Sequence, residues 1–265
     1  MRKMAKAPNT FVPKEALEWF KRKGIKPGFD YRDVWLEEQA NSFTVAKMLN
    51  ADLLVDVKQL IVEAKIQGQT FEQFRDILKP LLVKSGWWGV QTMQDPLTEE
   101  TKLVQLGSEG RIKTIYKTNM RTARSAGQWE RIQRTKRTLP YLLYQLGPSE
   151  QHRIEHLKWN NTLLPADDPW WDVHMAPNGW GCKCWIRQVS QYEADKLIAS
   201  GKVSTTSPAS KNKRWVNRRT GEVEELPEGI DPGWNYNPGK GRESMLANDL
   251  SEKEARMRQT LATDA

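Results

Sequence analysis

Apolar residues in the first half of the chain recur every three or four positions, the spacing of one helical face. Leu53, Val57, Leu60, Ile61 and Ala64 mark a helix from about Asp52 to Ile66, which Gly68 ends. Before it, Pro13 is placed to open a helix through Leu17 and Phe20, with Gly24 to close it. Asp30 is placed to cap a second helix carrying Val34, Trp35, Phe43, Ala46 and Leu49. Thr70 with Gln73 forms a capping-box pattern for a further helix, which Pro80 should end or kink. Residues 14 to 137 thus read as helical, and the short connections favour antiparallel packing in a bundle.

The helix expected from about Arg111 to Arg137 carries two distinct faces. Ile112, Ile115, Tyr116, Met120, Ala123 and Ala126 form an apolar stripe at 3.6-residue spacing. Lys113, Lys117, Arg121, Arg124 and Arg131 fall together on an adjoining face, with Glu130 as the sole carboxylate of the stretch. Such a helix can bury one side and offer a row of cations to phosphates or to an acidic protein surface; a merely solvated basic face is the plainer reading.

After Pro140 the pattern changes. Tyr141 to Leu146 has strand composition, and Cys184 to Val189 is a candidate partner strand. Between them lies an irregular, Trp-rich segment, and residues 191 to 200 read as a short amphipathic helix ending at Gly201. A polar loop follows, then a β-hairpin over Trp215 to Leu226 turning at Arg219-Thr220-Gly221. Pro227, Pro232 and Pro238 hold an extended run, and residues 243 to 262 read as a last, strongly charged helix. The expected fold class is α+β. A helical domain (1–137) precedes a small mixed domain (138–240), with a charged C-terminal helix or tail (241–265).

Composition sharpens this picture. Only 38% of the 265 residues are hydrophobic and 28% are charged, yet there are 12 tryptophans. Large amphipathic rings in excess fit a protein that assembles, with part of its apolar surface covered by partners. The Pro-Gly run from 227 to 241 has little with which to pack on itself, and the terminal helix is too charged to bury much surface alone, so residues from about 227 onward are expected to be protease-sensitive in free protein and protected on assembly. Lys and Arg outnumber Asp and Glu by 41 to 33, a net charge of +8 that permits polyanion binding. No apolar run is long enough for a membrane span, and no secretory signal opens the chain, so no membrane partner is expected. The two cysteines, Cys182 and Cys184, exclude a disulfide framework and suit synthesis in a reducing cytoplasm.

Candidate chemistry is concentrated between 152 and 185. His156, His174, Cys182 and Cys184 invite a zinc reading. Against it, alternate residues of a strand hold their Cβ atoms roughly 6–7 Å apart, too far for two thiolates on one metal unless a nearby glycine bends the chain. The plainer reading is two small buried thiols and two ordinary histidines, with no cofactor. Asp167, Asp168 and Asp172 could surround a hydrated cation in a metal-dependent hydrolase, but no second acidic cluster or clear general base accompanies them. There is no phosphate loop, nucleophile elbow or dinucleotide fingerprint, so no catalytic residue is assigned. A DNA-binding role resting on the basic helix would be independent of base sequence and steeply dependent on salt.

One ordered set of residues is more specific than any of these. His156 lies three residues before Trp159; Asp168-Pro169-Trp170 forms an acidic-Pro-aromatic turn; Pro177, Gly179, Trp180, Cys182 and Cys184 close the segment within APNGWGCKCW. This arrangement resembles the signature of the Mu F-like phage head-morphogenesis family. The preceding IYKTNMRTARSAGQWERIQ is similar to that family's basic helix, and TGEVEELPEGIDPGWNYNPG to its hairpin and Pro-Gly arm. The resemblance implies a minor capsid protein, present in few copies inside the virion near the portal vertex and made in the host cytoplasm. It further implies the portal protein as partner, with major capsid or scaffold protein and packaged DNA as others, and in some relatives a link to DNA ejection. The tryptophan-rich segment should form a dry core of Trp159, Trp170, Trp171, Trp180 and Trp185, with Trp159, Trp180 and Trp185 mostly buried.

Overall fold

The computed structural model describes residues 13–241, together with residues 243 and 247. The described residues form two compact units, one of residues 13–34 with Ser42–Arg131, the other of Trp35–Asn41 with residues 132–241. The fold is α+β. Its elements run α1 (Lys14–Lys21), β1 (Gly24–Ile25), α2 (Glu38–Asn41), β2 (Ser42–Phe43), α3 (Ala51–Gln67), α4 (Phe71–Lys84), β3 (Val90–Gln94), β4 (Thr101–Gln105) and α5 (Glu109–Thr135). There follow β5 (Tyr141–Gln145), α6 (Ile154–Trp159), β6 (Leu163–Pro165), α7 (Trp171–His174), β7 (Trp185–Val189), α8 (Gln191–Ala199), β8 (Asn212–Val216) and β9 (Val223–Pro227).

In the first unit, α3 packs against α1 and α4. The Asn50 side chain accepts the Leu53 N–H at 2.9 Å to start α3, and Gly68 ends it in the left-handed region. The reciprocal Thr70–Gln73 box opens α4 as its sequence predicts. Phe20, Phe43, Leu54, Ile61, Phe74, Leu78, Leu82, Ile112 and Trp129 fill the core. Of the predicted stripe of α5, Ile112, Ile115, Ala123 and Ala126 are buried and Tyr116 and Met120 half-buried.

Four expectations for this unit are corrected. Asp30 does act as a cap, but of a single 3-10 turn over Tyr31–Asp33 and not of a long helix. Leu36 (φ 46°) and Lys47 (φ 68°) adopt left-handed backbone that no helix can pass through, although Val34 and Phe43 still reach the core. The first helix stops at Lys21, and Gly24 instead begins β1, which pairs in parallel with β2. Pro80, expected to end or kink α4, does not end it, since the helix continues to Lys84. Finally, residues 90–105 are not helical: β3 and β4 form an antiparallel hairpin from Val90↔Gln105 to Gln94↔Thr101, with most of its side chains exposed.

The second unit is built on a three-stranded antiparallel sheet, order β6-β5-β7. The predicted pairing of the strand after Pro140 with the one after Cys184 is present, running from Tyr141↔Val189 to Gln145↔Trp185. Leu143, Leu163, Val189 and Ala194 form one core cluster, which seats α8 on the sheet. The β8–β9 hairpin turns within 217–222, and Trp215 stacks on Trp35 with ring centroids 5.2 Å apart and planes 8° from parallel.

The Pro-Gly run is extended in path but not loose. Ile230, Trp234, Tyr236 and Asn237 are buried. Arg153 donates to Asp231 at 2.8 Å, the Asn237 side chain donates to the Trp171 carbonyl at 3.2 Å, and Lys240 pairs with Asp172. The expectation that this run lacks packing partners is therefore corrected, because Asp231 and the aromatic residues between the prolines anchor it to its own unit. The charged helix predicted over 243–262 lies, apart from residues 243 and 247, outside the described residues.

Candidate functional site

The residues of the sequence signature converge in the second unit around Trp159. Helix α6 places His156 and Trp159 on one face, as three-residue spacing requires, and the two rings stack at 4.6 Å. Asp168 accepts the Trp170 N–H at 2.9 Å, and with Pro169 it starts the turn that leads into α7. Trp170 meets Trp159 edge-on at 6.2 Å, and Tyr144 of β5 lies edge-on to both tryptophans at 5.8 Å. Trp171 is fully enclosed and donates from its indole N–H to the Pro165 carbonyl at 2.9 Å.

Two predicted core tryptophans are not core. Trp180 is 43% and Trp185 46% exposed. Asp231 accepts the Trp180 backbone N–H at 2.7 Å, which fixes the chain there while the indole meets Trp234 edge-on with centroids 5.1 Å apart. Trp185 is at the end of the β5–β7 ladder, opposite Gln145, and it is the adjacent Ile186 that enters the core.

His156, Cys182 and Cys184 form a second focus. Their ligand atoms all lie within 4.8 Å of one another, the one such group of His, Cys, Asp and Glu among the described residues. His156 Nδ1 is 3.5 Å from Cys184 Sγ and 3.9 Å from Cys182 Sγ. The spacing objection from strand geometry does not apply, because β7 begins only at Trp185. Cys182 follows Gly181, whose φ of +73° supplies the bend, and the Cys182 N–H bonds the Gly179 carbonyl at 3.2 Å in the turn that follows Pro177. The hydrogen bond shared with Cys184 draws the Cys182 thiol well below its ordinary range, and the same contact, with burial, pushes Cys184 up. Burial, then the two nearby thiols, push the Tyr144 phenol well up; its hydroxyl shares a 3.0 Å hydrogen bond with Asn178 Oδ1.

His174, the fourth residue of the zinc reading, stands apart from this group. Its ring stacks on Trp170 at 4.2 Å and 5°, and its Nδ1 bonds the Trp170 carbonyl at 3.0 Å. Burial lowers its pKa to about 4, so it is neutral at pH 7. The Nδ1–H then donates to that carbonyl, leaving Nε2 a buried acceptor without a partner among the described residues.

The three aspartates of the hydrolase reading have separate structural partners. Asp167 pairs with Lys136 at 2.7 Å, Asp168 caps its turn, and Asp172 pairs with Lys240.

The basic face lies on α5. Lys113, Lys117 and Arg124 are exposed, and Arg121 is half-buried. Arg131 lies 3.8 Å from Glu15. Lys117, Arg121 and Arg124 line a cleft of about 410 Å³ together with Tyr116, Met120 and Lys65. Lys65 sits on α3 beside the apolar positions Ile61 and Ala64, so sequence spacing alone does not single it out. Burial, helped by the charge of Arg124, lowers its pKa to about 7.

Comparison with known proteins gives this arrangement a lineage. A family model described as "Phage Mu protein F like protein" matches residues 55–187. The chain is 32% identical over 268 residues to the "Putative capsid assembly protein F" of Escherichia phage Mu, with 93% of this chain and 60% of that protein covered. It is 29% identical over 222 residues to the "Mu-like prophage FluMu F protein" of Haemophilus influenzae, covering 77% of this chain and 52% of that protein. The chain thus spans little more than half the length of these curated relatives. No solved structure matches it.

Proposed function

This chain belongs to the phage Mu F-like family, and from that premise we propose that it is a minor head protein of a tailed phage, bound inside the head near the portal vertex and needed for head morphogenesis. The observation that carries the reading is its 32% identity, along 93% of its own length, to a protein named for capsid assembly. Its partners are then the portal protein and the packaged DNA, with major capsid or scaffold protein as further contacts. Its role is structural rather than enzymatic, in keeping with three aspartates each committed to a cap or an ion pair.

Two features support an assembly role. Trp180 and Trp185 offer large amphipathic rings at the surface, the residue type that interfaces favour. The β3–β4 hairpin exposes most of its side chains, Leu103 at 75% among them, and two-stranded ribbons are marginal in water without a partner. The cations of α5 suit contact with DNA phosphates, which would link the protein to packaging or ejection.

Deleting the coding segment from its phage tests the proposal. Lysates of the deletion should contain few DNA-filled heads, and the full chain supplied in trans should restore them. Normal yields of filled, infectious heads without the chain would overturn the reading.

A further inference from the structure

We propose that His156, Cys182 and Cys184 bind a zinc ion that staples α6 to the 182–184 loop, a site independent of the head-assembly reading. Zinc–sulfur and zinc–nitrogen bonds of about 2.3 and 2.05 Å at tetrahedral angles separate a nitrogen from a sulfur ligand by about 3.6 Å. Across this site the two such separations are 3.5 and 3.9 Å. The donors are an imidazole nitrogen and two thiol sulfurs, the set that zinc prefers over magnesium or calcium.

The groups around these three also suit a metal. His156 Nε2 lies 2.9 Å from the Gly229 carbonyl, to which it donates its proton, so Nδ1 turns its lone pair toward the sulfurs. Metal-binding histidines are held by such a bond on the far nitrogen. The stack on Trp159 fixes the ring plane. One lone pair on Nδ1 can accept only one S–H, whereas a cation at the centre engages all three atoms together. His156 and Cys182 are buried, which keeps competing water away; Cys184 is half-buried and marks the side on which a water completes the fourth position. His174 is not in the ligand set, because the atoms that lie within 4.8 Å of one another belong to His156, Cys182 and Cys184 alone among the described residues.

Metal analysis of untagged full chain, purified under reducing conditions without chelator, should give about one zinc per chain. His174→Gln should retain it, while Cys182→Ser and Cys184→Ser should lose most of it. Because a serine variant can lose metal by misfolding, unsubstituted chain is also reconstituted with cobalt(II) in place of zinc. Cobalt should produce a strong thiolate-to-metal absorption band in the near ultraviolet and the visible bands of a tetrahedral site. Unsubstituted protein with both thiols reduced that takes up neither zinc nor cobalt would overturn the proposal. Loss of metal in His174→Gln matching that in Cys182→Ser would overturn the ligand set.

Discussion

The imidazole of His156 is held by the carbonyl of Gly229, 2.9 Å away and 73 residues further along the chain. That bond joins α6 to the Pro-Gly run, and it depends on Gly229 having no side chain. The φ of Gly229 is +90°, and a Cβ there would come within 2.6 Å of Glu155 Cβ and 2.8 Å of Trp159 Cη2.

Gly229→Ala should therefore destabilise the second unit. Left-handed strain alone costs on the order of 1–3 kcal/mol, and displacing the Trp159 ring adds to it. Chemical denaturation of the full chain, followed by tryptophan fluorescence, is the measurement. A midpoint within error of the parent would show that the run can move aside and that the His156 anchor is dispensable.

The run itself should resist proteolysis in free protein. Asp231 accepts from both Arg153 and the Trp180 N–H, so Asp231→Ala removes two hydrogen bonds that tie the run to its unit, one of them charged, at about 1–3 kcal/mol. Limited digestion should spare residues 227–241 in the parent and cut there in the variant. Equal cutting of both would mean that Asp231 does not anchor the run.

How far these contacts were legible varies with the range over which each is encoded. The Thr70–Gln73 box and the Asp168 cap involve neighbours in sequence, and both form as their residue types imply. The pairing of β5 with β7 was visible because each strand carries its own apolar composition. Asp30 shows the limit: a sound cap signal cannot reveal that Leu36 and Lys47 break the helix behind it. The β3–β4 hairpin was hidden because a helical period was carried across it, although Asp95-Pro96 between VQTMQ and TKLVQ is a turn signal. Asp95 Oδ1 accepts the Leu97 N–H in that turn. Among the four zinc candidates, composition could not separate His174 from His156. The distinction rests on which ring the fold brings beside the two sulfurs, a matter of tertiary structure.

Lys65 should give the stability a pH dependence. Its pKa falls from 10.5 to about 7 on folding, so between those values the unfolded chain binds more protons and stability rises with pH. Below about pH 7 both states are protonated and Lys65 adds no slope. The stability of the parent relative to Lys65→Met should therefore increase from pH 7 to pH 10. A constant difference over that range would contradict a buried, readily deprotonated Lys65.

On the basic face, reversing Lys113, Lys117 and Arg124 to Glu should leave the far-ultraviolet spectrum unchanged, since none of the three is buried. If the face meets DNA, each lost phosphate contact makes the negative slope of log affinity against log salt shallower by about 0.9. Binding of the full chain to duplex DNA of arbitrary sequence, measured across a salt series, reads this directly. A slope unaltered by the triple reversal would remove DNA as the partner of this face, leaving an acidic protein surface or solvent alone.

The location of the protein in the virion tests the account most directly. Cross-linking and mass spectrometry of purified, DNA-filled heads, with gold labelling of the same particles, locate it in one experiment. The account predicts few copies per head, cross-links from this chain to the portal protein, and label confined to a single vertex once the heads are opened. Label spread evenly over the capsid shell, or absence of the chain from filled heads, would contradict it.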